Sequence, residues 1–418
     1  MAIEGQNLAI LLSESLPPET LRVIGIAEEI AGGLQQSLYL AGGAVRDLLL
    51  GRTSLDVDLV TEGDVAILAS ALAERLRGRA VMHGQFGTAK VRWNGSSLDL
   101  AMARAETYER PGALPKVRPG SIEEDLRRRD FTINSMAVRL DGSSFGQKVD
   151  PFDGEKDLEE GLVRILHERS FVDDPTRMFR AVRYEQRFGF KLESETQKLL
   201  RSHTGGLRGV SGDRVRREVE HIMKEETPEK ALQRAHDLGL LKEVHPSLEA
   251  GEWLQHKFGQ SRKMFWPPPM TLYFGLLSYR LTVKETEELI DGMRMSRTTA
   301  AVMRGSVRLK GELPALESRE LAPSSICRIL EGYPVAAVMT GAVATDRDVV
   351  RERLKAYLAK WRHARTFLNG SSLQDMGVPA GPKVGDILGR LREAKLDGLV
   401  KTREDEVRMV EGWLSRPP

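Results

Sequence analysis

At 418 residues the chain is long for one hydrophobic core and is read as several domains. Its composition, 41% hydrophobic and 29% charged, is that of a soluble globular protein, and a formal net charge of +2 excludes capture of a polyanion by overall charge, leaving that task to local basic clusters. One cysteine, Cys327, excludes an internal disulfide and a cysteine metal cage, and fits an inert, partly buried thiol in a reducing cytoplasm.

Residues 1–20 carry no basic stretch ahead of their short apolar run, so no secretory signal is read there. The longest weakly polar run, YPVAAVMTGAVAT at 333–345, falls short of the roughly 20 residues a membrane helix needs. A cytoplasmic protein without a membrane span is expected. Ser15 with Pro17 and Pro18 opens a helix that ends near Gly32 and Gly33. SLYLAGG (37–43) is a strand running into a glycine turn, and AVRDLLLG (44–51) is a short helix. Next, Leu55, Val57 and Leu59 alternate with Asp56 and Asp58, the period-two pattern of a half-buried strand. That pattern places both carboxylates on one face, roughly 6–7 Å apart. Alone, such a pair is adequately explained as the polar face of an edge strand.

Further strands are expected at 80–93 and 97–104, the latter carrying Asp99, and the Pro- and Gly-rich stretch 103–121 reads as a loop. From about residue 155 only helical periodicity remains. Three prolines at 267–269 interrupt it, and Gly381–Pro382 opens a helix with Val384, Ile387, Leu388, Leu391 and Ala394 at helical spacing, capped near Gly398. The chain is therefore expected to be an α+β head followed by an all-helical body.

Gly42 and Gly43 stand where a strand becomes a helix. Glycines there let the backbone approach a phosphate, the helix start favours negative charge, and Arg46, one turn on, could reach the same phosphate. No Gly-Lys-Ser/Thr follows, so this is not a Walker loop. Asp56 and Asp58 offer hard oxygen ligands suited to two magnesium ions bridging a triphosphate. Such a site activates a hydroxyl for in-line attack and neutralises leaving pyrophosphate. Asp99 is either a third carboxylate on the neighbouring strand or an ordinary exposed strand residue.

The run LAGGAVRDLLLGRTSLDVDLVT (40–61) resembles the opening motif of class II tRNA nucleotidyltransferases, the CCA-adding enzymes, and of their bacterial poly(A) polymerase relatives. GQFGTAKV, EEDLRRRDFTINSMAV, VDPFDGEKDL and DDPTRMFRAVRYEQRFGF are similar to the family's later motifs, in order. GDRVRREVEHIM (212–223) is similar to a fifth, with Asp213 where Glu is common, and 370–400 resembles the tail of long bacterial members. The resemblance implies a DNA polymerase β-like head at 1–150, a helical neck with base recognition at 151–225, a helical body at 226–320 and a tRNA-binding tail at 321–418.

It also supports catalytic roles for Asp56 and Asp58, holding two Mg2+ ions, with Asp99 the candidate third catalytic carboxylate from its strand position. Gly43, Arg46, Arg129 and Asp130 would contact the nucleotide, the last two near the ribose. Asp174 and Arg177 would select the base without a template, and Arg180 and Arg183 would stand beside it. Taken only as residues, Arg127–Arg129 form a charged face and Asp174, before Pro175, is a helix cap. An Asp acceptor beside an Arg donor also matches N4, N3 and O2 of cytosine or, after a small shift, N6 and N1 of adenine. His236–Asp237 lacks the companions of a metal phosphohydrolase. Lys383, Arg390 and Arg392 are either tRNA-backbone contacts or a solvated helix face.

The function implied is addition of CMP and/or AMP from CTP or ATP to the 3′ end of tRNA, releasing pyrophosphate. The alternatives are an A-only or CC-only enzyme with a partner nucleotidyltransferase acting on the same tRNA, or a poly(A) polymerase. A small-molecule nucleotidyltransferase would not need Asp174, Arg177 or a long helical tail. Against a non-enzymatic RNA-binding protein stand the paired aspartates.

Overall fold

The computed structural model describes residues 7–52, 57–83, 87–318 and 320–415. The chain divides into two compact units, Met1–Glu218 with Asp237–Glu243, and Val219–His236 with Val244–Pro418.

The first unit opens with helices α1 (Ala9–Ser15) and α2 (Pro18–Gly33), the latter begun by a proline at its first turn, where a missing N–H costs nothing. Strand β1 (Ser37–Ala41) leads through Gly42 into α3 (Gly43–Leu49). Then follow β2 (Asp58–Glu62), α4 (Val65–Arg75), β3 (Arg79–His83), β4 (Thr88–Trp93) and β5 (Ser96–Met102). A hairpin of β6 (Arg104–Thr107) and β7 (Lys116–Pro119) precedes α5 (Ile122–Arg127), β8 (Ala137–Arg139) and β9 (Lys148–Val149).

Among the described residues the main sheet has seven strands in the order β3-β4-β5-β2-β1-β8-β9. β2 and β5 are parallel and the other neighbouring pairs antiparallel. Successive β1 side chains alternate between faces. Tyr39 and Ala41 join Val60, Ala103 and Ala137 under Ile122 and Leu126 of α5. Leu38 and Leu40 are buried on the opposite face, where α2 packs on β1 and α4 on β3, β4 and β5.

Three sequence expectations change here. The aspartate strand begins at Asp58, and Leu59, Val60 and Thr61 are buried in succession. A strand between β5 and β1 has both faces covered, so the half-buried alternation does not persist. Asp56 lies outside the described residues. The stretch 103–121 is a paired hairpin, Arg104 opposite Pro119 and Thr107 opposite Lys116, rather than an open loop. The strictly helical character expected after residue 155 is interrupted by β10 (Leu162–Val163) and β11 (Lys191–Leu192), which pair in parallel. Around them lie α6 (Gly154–Glu159), α7 (Ser170–Asp173), α8 (Arg177–Phe188) and α9 (Ser194–His203), followed by α10 (Gly212–Met223).

The second unit is helical. One core gathers Leu309, Ile326, Cys327, Val338, Ala342 and Leu354, and a second gathers Leu368, Leu373, Ile387, Leu391 and Val410. The tri-proline segment separates helices Glu252–Met264 and Met270–Ser278. Helix Pro382–Leu396 starts and ends close to where its glycines predict. The weakly polar run is helix Val335–Ala344, mostly buried. No single helix among the described residues is long and apolar enough to cross a membrane.

Candidate active site

In the first unit a cavity of about 900 Å³ opens between the sheet and α8. Its strand wall carries Asp58 and Asp99, which the parallel β2–β5 ladder places directly opposite one another. Period two gives Asp58 the face of Val60 and Asp99 that of Ala101, so the two carboxylates leave the sheet on the same side. Asp58 is exposed. Lys90 of β4, also opposite Asp99, brings its Nζ to 2.8 Å from Asp99 Oδ2.

The glycine turn is required by a crossing side chain. Gly42 has φ +80°, and a Cβ there would lie 2.0 Å from Arg129 Nη1. Arg129 donates to Asp125 Oδ2 from Nη2 at 3.0 Å and to the Asn134 carbonyl at 3.4 Å. Asp125 is fully buried on α5 and also takes Arg128 at 2.6 Å. Burial raises the Asp125 carboxyl, but the Arg129 and Arg128 charges outweigh it and leave it below the usual range. Arg128 and Arg129 are thus anchored from beneath, and the basic run is not a simple solvated face. Arg46, 4% exposed, donates to Asp47 and to Asn134 Oδ1 and lies 4.7 Å from the Phe188 ring centroid.

Asp130 links the sheet to α8. Its carboxylate accepts from the Phe131 amide and Asn134 Nδ2, each at 2.9 Å, and from Arg180 Nε at 2.7 Å. Burial raises its pKa, yet the Arg180 charge and the Asn134 and Arg180 hydrogen bonds more than reverse that and hold it at about 2. Beyond it, Asp174 Oδ1 accepts from the Thr176 amide at 2.9 Å, Thr176 Oγ1 at 2.6 Å and Arg214 Nη2 at 2.7 Å. Asp174 thus closes an Asx turn through one oxygen, whereas α8 itself is preceded by Thr176 and starts at Arg177, so Asp174 is not its N-cap as the residue pattern suggested. Arg177, 6% exposed, donates to Ser170 Oγ and to the Arg128 carbonyl, both at 2.7 Å.

Of the described residues given a catalytic or nucleotide-binding role from sequence, Arg183 alone does not line the cavity; it is buried with its guanidinium 4.7 Å from the Tyr184 ring centroid. Several lining residues had no assigned role. Arg214 and Glu218 come from the GDRVRREVEHIM segment, whose motif character was the available signal. Glu218 Oε2 is buried without a hydrogen bond, and burial raises its carboxyl against the opposing Arg180 and Arg183 charges. Tyr108, from the hairpin, donates to Glu106 at 3.0 Å. Among the described residues no group of three or more His, Cys, Asp or Glu side chains is arranged to hold a metal ion, which leaves His236–Asp237 as part of a helix.

Paired carboxylates on adjacent strands face a basic helix across the cavity, an arrangement suited to phosphoryl chemistry. The family model "Poly A polymerase head domain" matches residues 38–164, and "Probable RNA and SrmB-binding site of polymerase A" matches 189–251. The A-adding tRNA nucleotidyltransferase of Halalkalibacterium halodurans is 41% identical over 98% of this chain and 96% of its own length. That of Geobacter sulfurreducens is 34% identical over 98% of this chain, which spans about half (49%) of that relative. The structure of the Thermotoga maritima CCA-adding enzyme complexed with tRNA is similar over 99% of this chain and 100% of that one, with a TM-score of 0.78 and 28% identity. The chain belongs to the tRNA nucleotidyltransferase family of A-adding and CCA-adding enzymes.

Proposed function

We propose that this chain transfers AMP from ATP to the 3′ end of a tRNA already ending in CC, releasing pyrophosphate. The observation that carries the reading is the single cavity lined by the Asp58/Asp99 pair and by Asp174 and Arg177. One pair suits phosphoryl chemistry and the other suits the edge of a base. The choice of AMP rests on likeness to A-adding relatives along nearly the whole chain.

Family membership points to a divalent cation. The donor set fits one: Asp58 and Asp99 present hard oxygen from matched register, and Asp56 is the carboxylate that the sequence pairs with Asp58. Two Mg2+ ions held by Asp56 and Asp58, with Asp99 beside them, are the occupants proposed. Bound there, such ions supply activation of the 3′-hydroxyl and charge neutralisation of the leaving group. The chain's own residues do the positioning. Arg129, passing over Gly42, and the Gly43 backbone stand at the triphosphate end. Arg46 contributes by holding Asn134, since its guanidinium is engaged by Asp47, Asn134 and the Phe188 ring. Asp130 and Arg180 border the ribose, with Arg183 buried against Tyr184 of the same helix. Asp174 accepts the adenine N6 amine while Arg177 donates to N1. The helical regions hold tRNA by backbone and shape, in the cytoplasm, and a CC-adding partner must prepare the substrate.

The test is extension of three matched tRNA transcripts ending before CCA, after C and after CC, with CTP, ATP or both, read at single-nucleotide resolution. Addition of one A to the CC-ended transcript alone is the expected result. Completion of CCA on the shortest transcript would replace the A-only reading with a full CCA-adding one. Long A tracts on unstructured RNA would make it a poly(A) polymerase, and no addition to any tRNA would overturn the tRNA reading.

A further inference from the structure

We infer that Arg214 is a specificity-determining positioning residue, a clasp that fixes the Asp174 carboxylate and ties it to the tip of the β6–β7 hairpin. The inference rests on Asp174 reading the base, as proposed above. One arm of the Arg214 guanidinium, Nη2, donates to Asp174 Oδ1 at 2.7 Å, and the other, Nη1, donates to the Gly112 carbonyl at 2.7 Å. A guanidinium is planar and its donors form a rigid fork, so gripping two acceptors at once fixes the distance between them. Gly112 is held on its other side too, its amide donating to the Val172 carbonyl at 3.2 Å. The tip is thereby fastened to the segment that carries Asp174.

The hydrogen-bond count on Asp174 gives the consequence. All three of its donors, from Thr176 and Arg214, converge on Oδ1. A carboxylate bound through one oxygen presents the other, Oδ2, as the acceptor for an exocyclic amine, and the anchors set its orientation. The two Thr176 bonds are local to the turn and do not tie the carboxylate to the hairpin. The Arg214 bond comes from 40 residues away and is charge-assisted, so it is the restraint that a distant element can make or release. Side-chain exposures of 20% for Arg214 and 23% for Asp174 leave the pair reachable from the cavity rather than sealed in a core. Arg214 needs no contact with substrate to decide which base fits.

The experiment compares R214A, R214K, D174A and a variant whose tip, residues 110–114, is replaced by a short Gly-Ser turn. Each is assayed for kcat/KM with ATP and with CTP on CC-ended tRNA, with Tm and tRNA affinity measured alongside. R214A is expected to lower the ATP-to-CTP preference roughly tenfold or more, with tRNA affinity unchanged. R214K, able to reach one acceptor but not both, should recover part of it. The tip variant should lose preference in parallel, and combining it with R214A should add little, the non-additivity of a shared contact. If D174A loses preference while R214A and R214K keep it within twofold, the clasp is overturned and Asp174 remains the base reader. If D174A itself keeps the preference, the base-reading assignment fails instead. A fall in Tm without a change in preference in R214K or the tip variant would reduce Arg214 to a structural role and overturn the inference.

Discussion

At the strand end of the cavity, Asp58 stands exposed opposite Asp99, which has one lysine partner, Lys90. At the helix end, Asp130 is buried with three donors and Asp174 has three on one oxygen. The difference matches the roles proposed for the two ends. Carboxylates proposed to hold cations must stay reachable from solvent, as the exposed Asp58 and the 44% exposed Asp99 side chain are. Groups that read a base must be still, because discrimination comes from leaving a wrong base's polar edge unpaired, and that penalty vanishes if the reader can turn to follow it.

Removing one carboxylate from the strand end is expected to have the largest effect. D58N should lower single-turnover AMP transfer by roughly 10³-fold or more while leaving the fold and tRNA binding intact. An unfolded D58N would mean that this end is structural after all and would break the contrast. At the helix end the order should reverse, with stability affected first. The Asp130 carboxyl is depressed from 3.8 to about 2. A depressed acid stabilises the fold above its unfolded pKa, and that contribution is lost as pH falls through the folded value. Between about pH 4 and pH 2 the wild type should therefore shed on the order of 2 kcal/mol through this group. D130N should lack that amount at pH 7 and show a correspondingly shallower acid limb in thermal melts; an unchanged acid limb would remove Asp130 as the anchor. The smallest effect is expected at Lys90. Its ammonium competes with a cation for Asp99, so K90M should lower the Mg2+ concentration for half-maximal activity roughly two- to fivefold, the scale of a partly exposed ion pair. A higher requirement would mean that Lys90 orients Asp99 rather than competing at it.

Legibility from sequence divides along the same line. The strand end rests on local signals: a glycine turn, an Asp-x-Asp alternation and a second alternating strand with Asp99. What those signals omit is Lys90, because cross-strand pairing depends on register. The helix end is assembled from residues 40 to 88 positions apart, such as Arg214 with Asp174, Arg180 with Asp130 and Arg46 with Asn134. Periodicity carries no information at that range, and roles there came from family resemblance together with the donor and acceptor chemistry of Asp174 and Arg177. One clue was local and overlooked: Asp125 precedes Arg128 and Arg129 by three and four residues, the spacing that turns a basic run into a buried ion-pair cluster. The hairpin at 103–121 escaped because four-residue strands beside Pro and Gly are too short to display alternation.

Cys327 supplies the chain's only thiol. It is 1% exposed, and burial pushes its pKa up to about 11. At neutral pH roughly one molecule in 10⁴ would carry the reactive thiolate, and that one would be out of reach of a reagent. The wild-type protein is thus expected to react little with maleimides. Leu114, at the hairpin tip and 63% exposed, lines the same cavity as Asp174 and Arg177. A dye carried by L114C would be attached at one place only, with no background to subtract, and its emission would report in real time whether the tip lifts when ATP enters and settles again when the finished tRNA leaves.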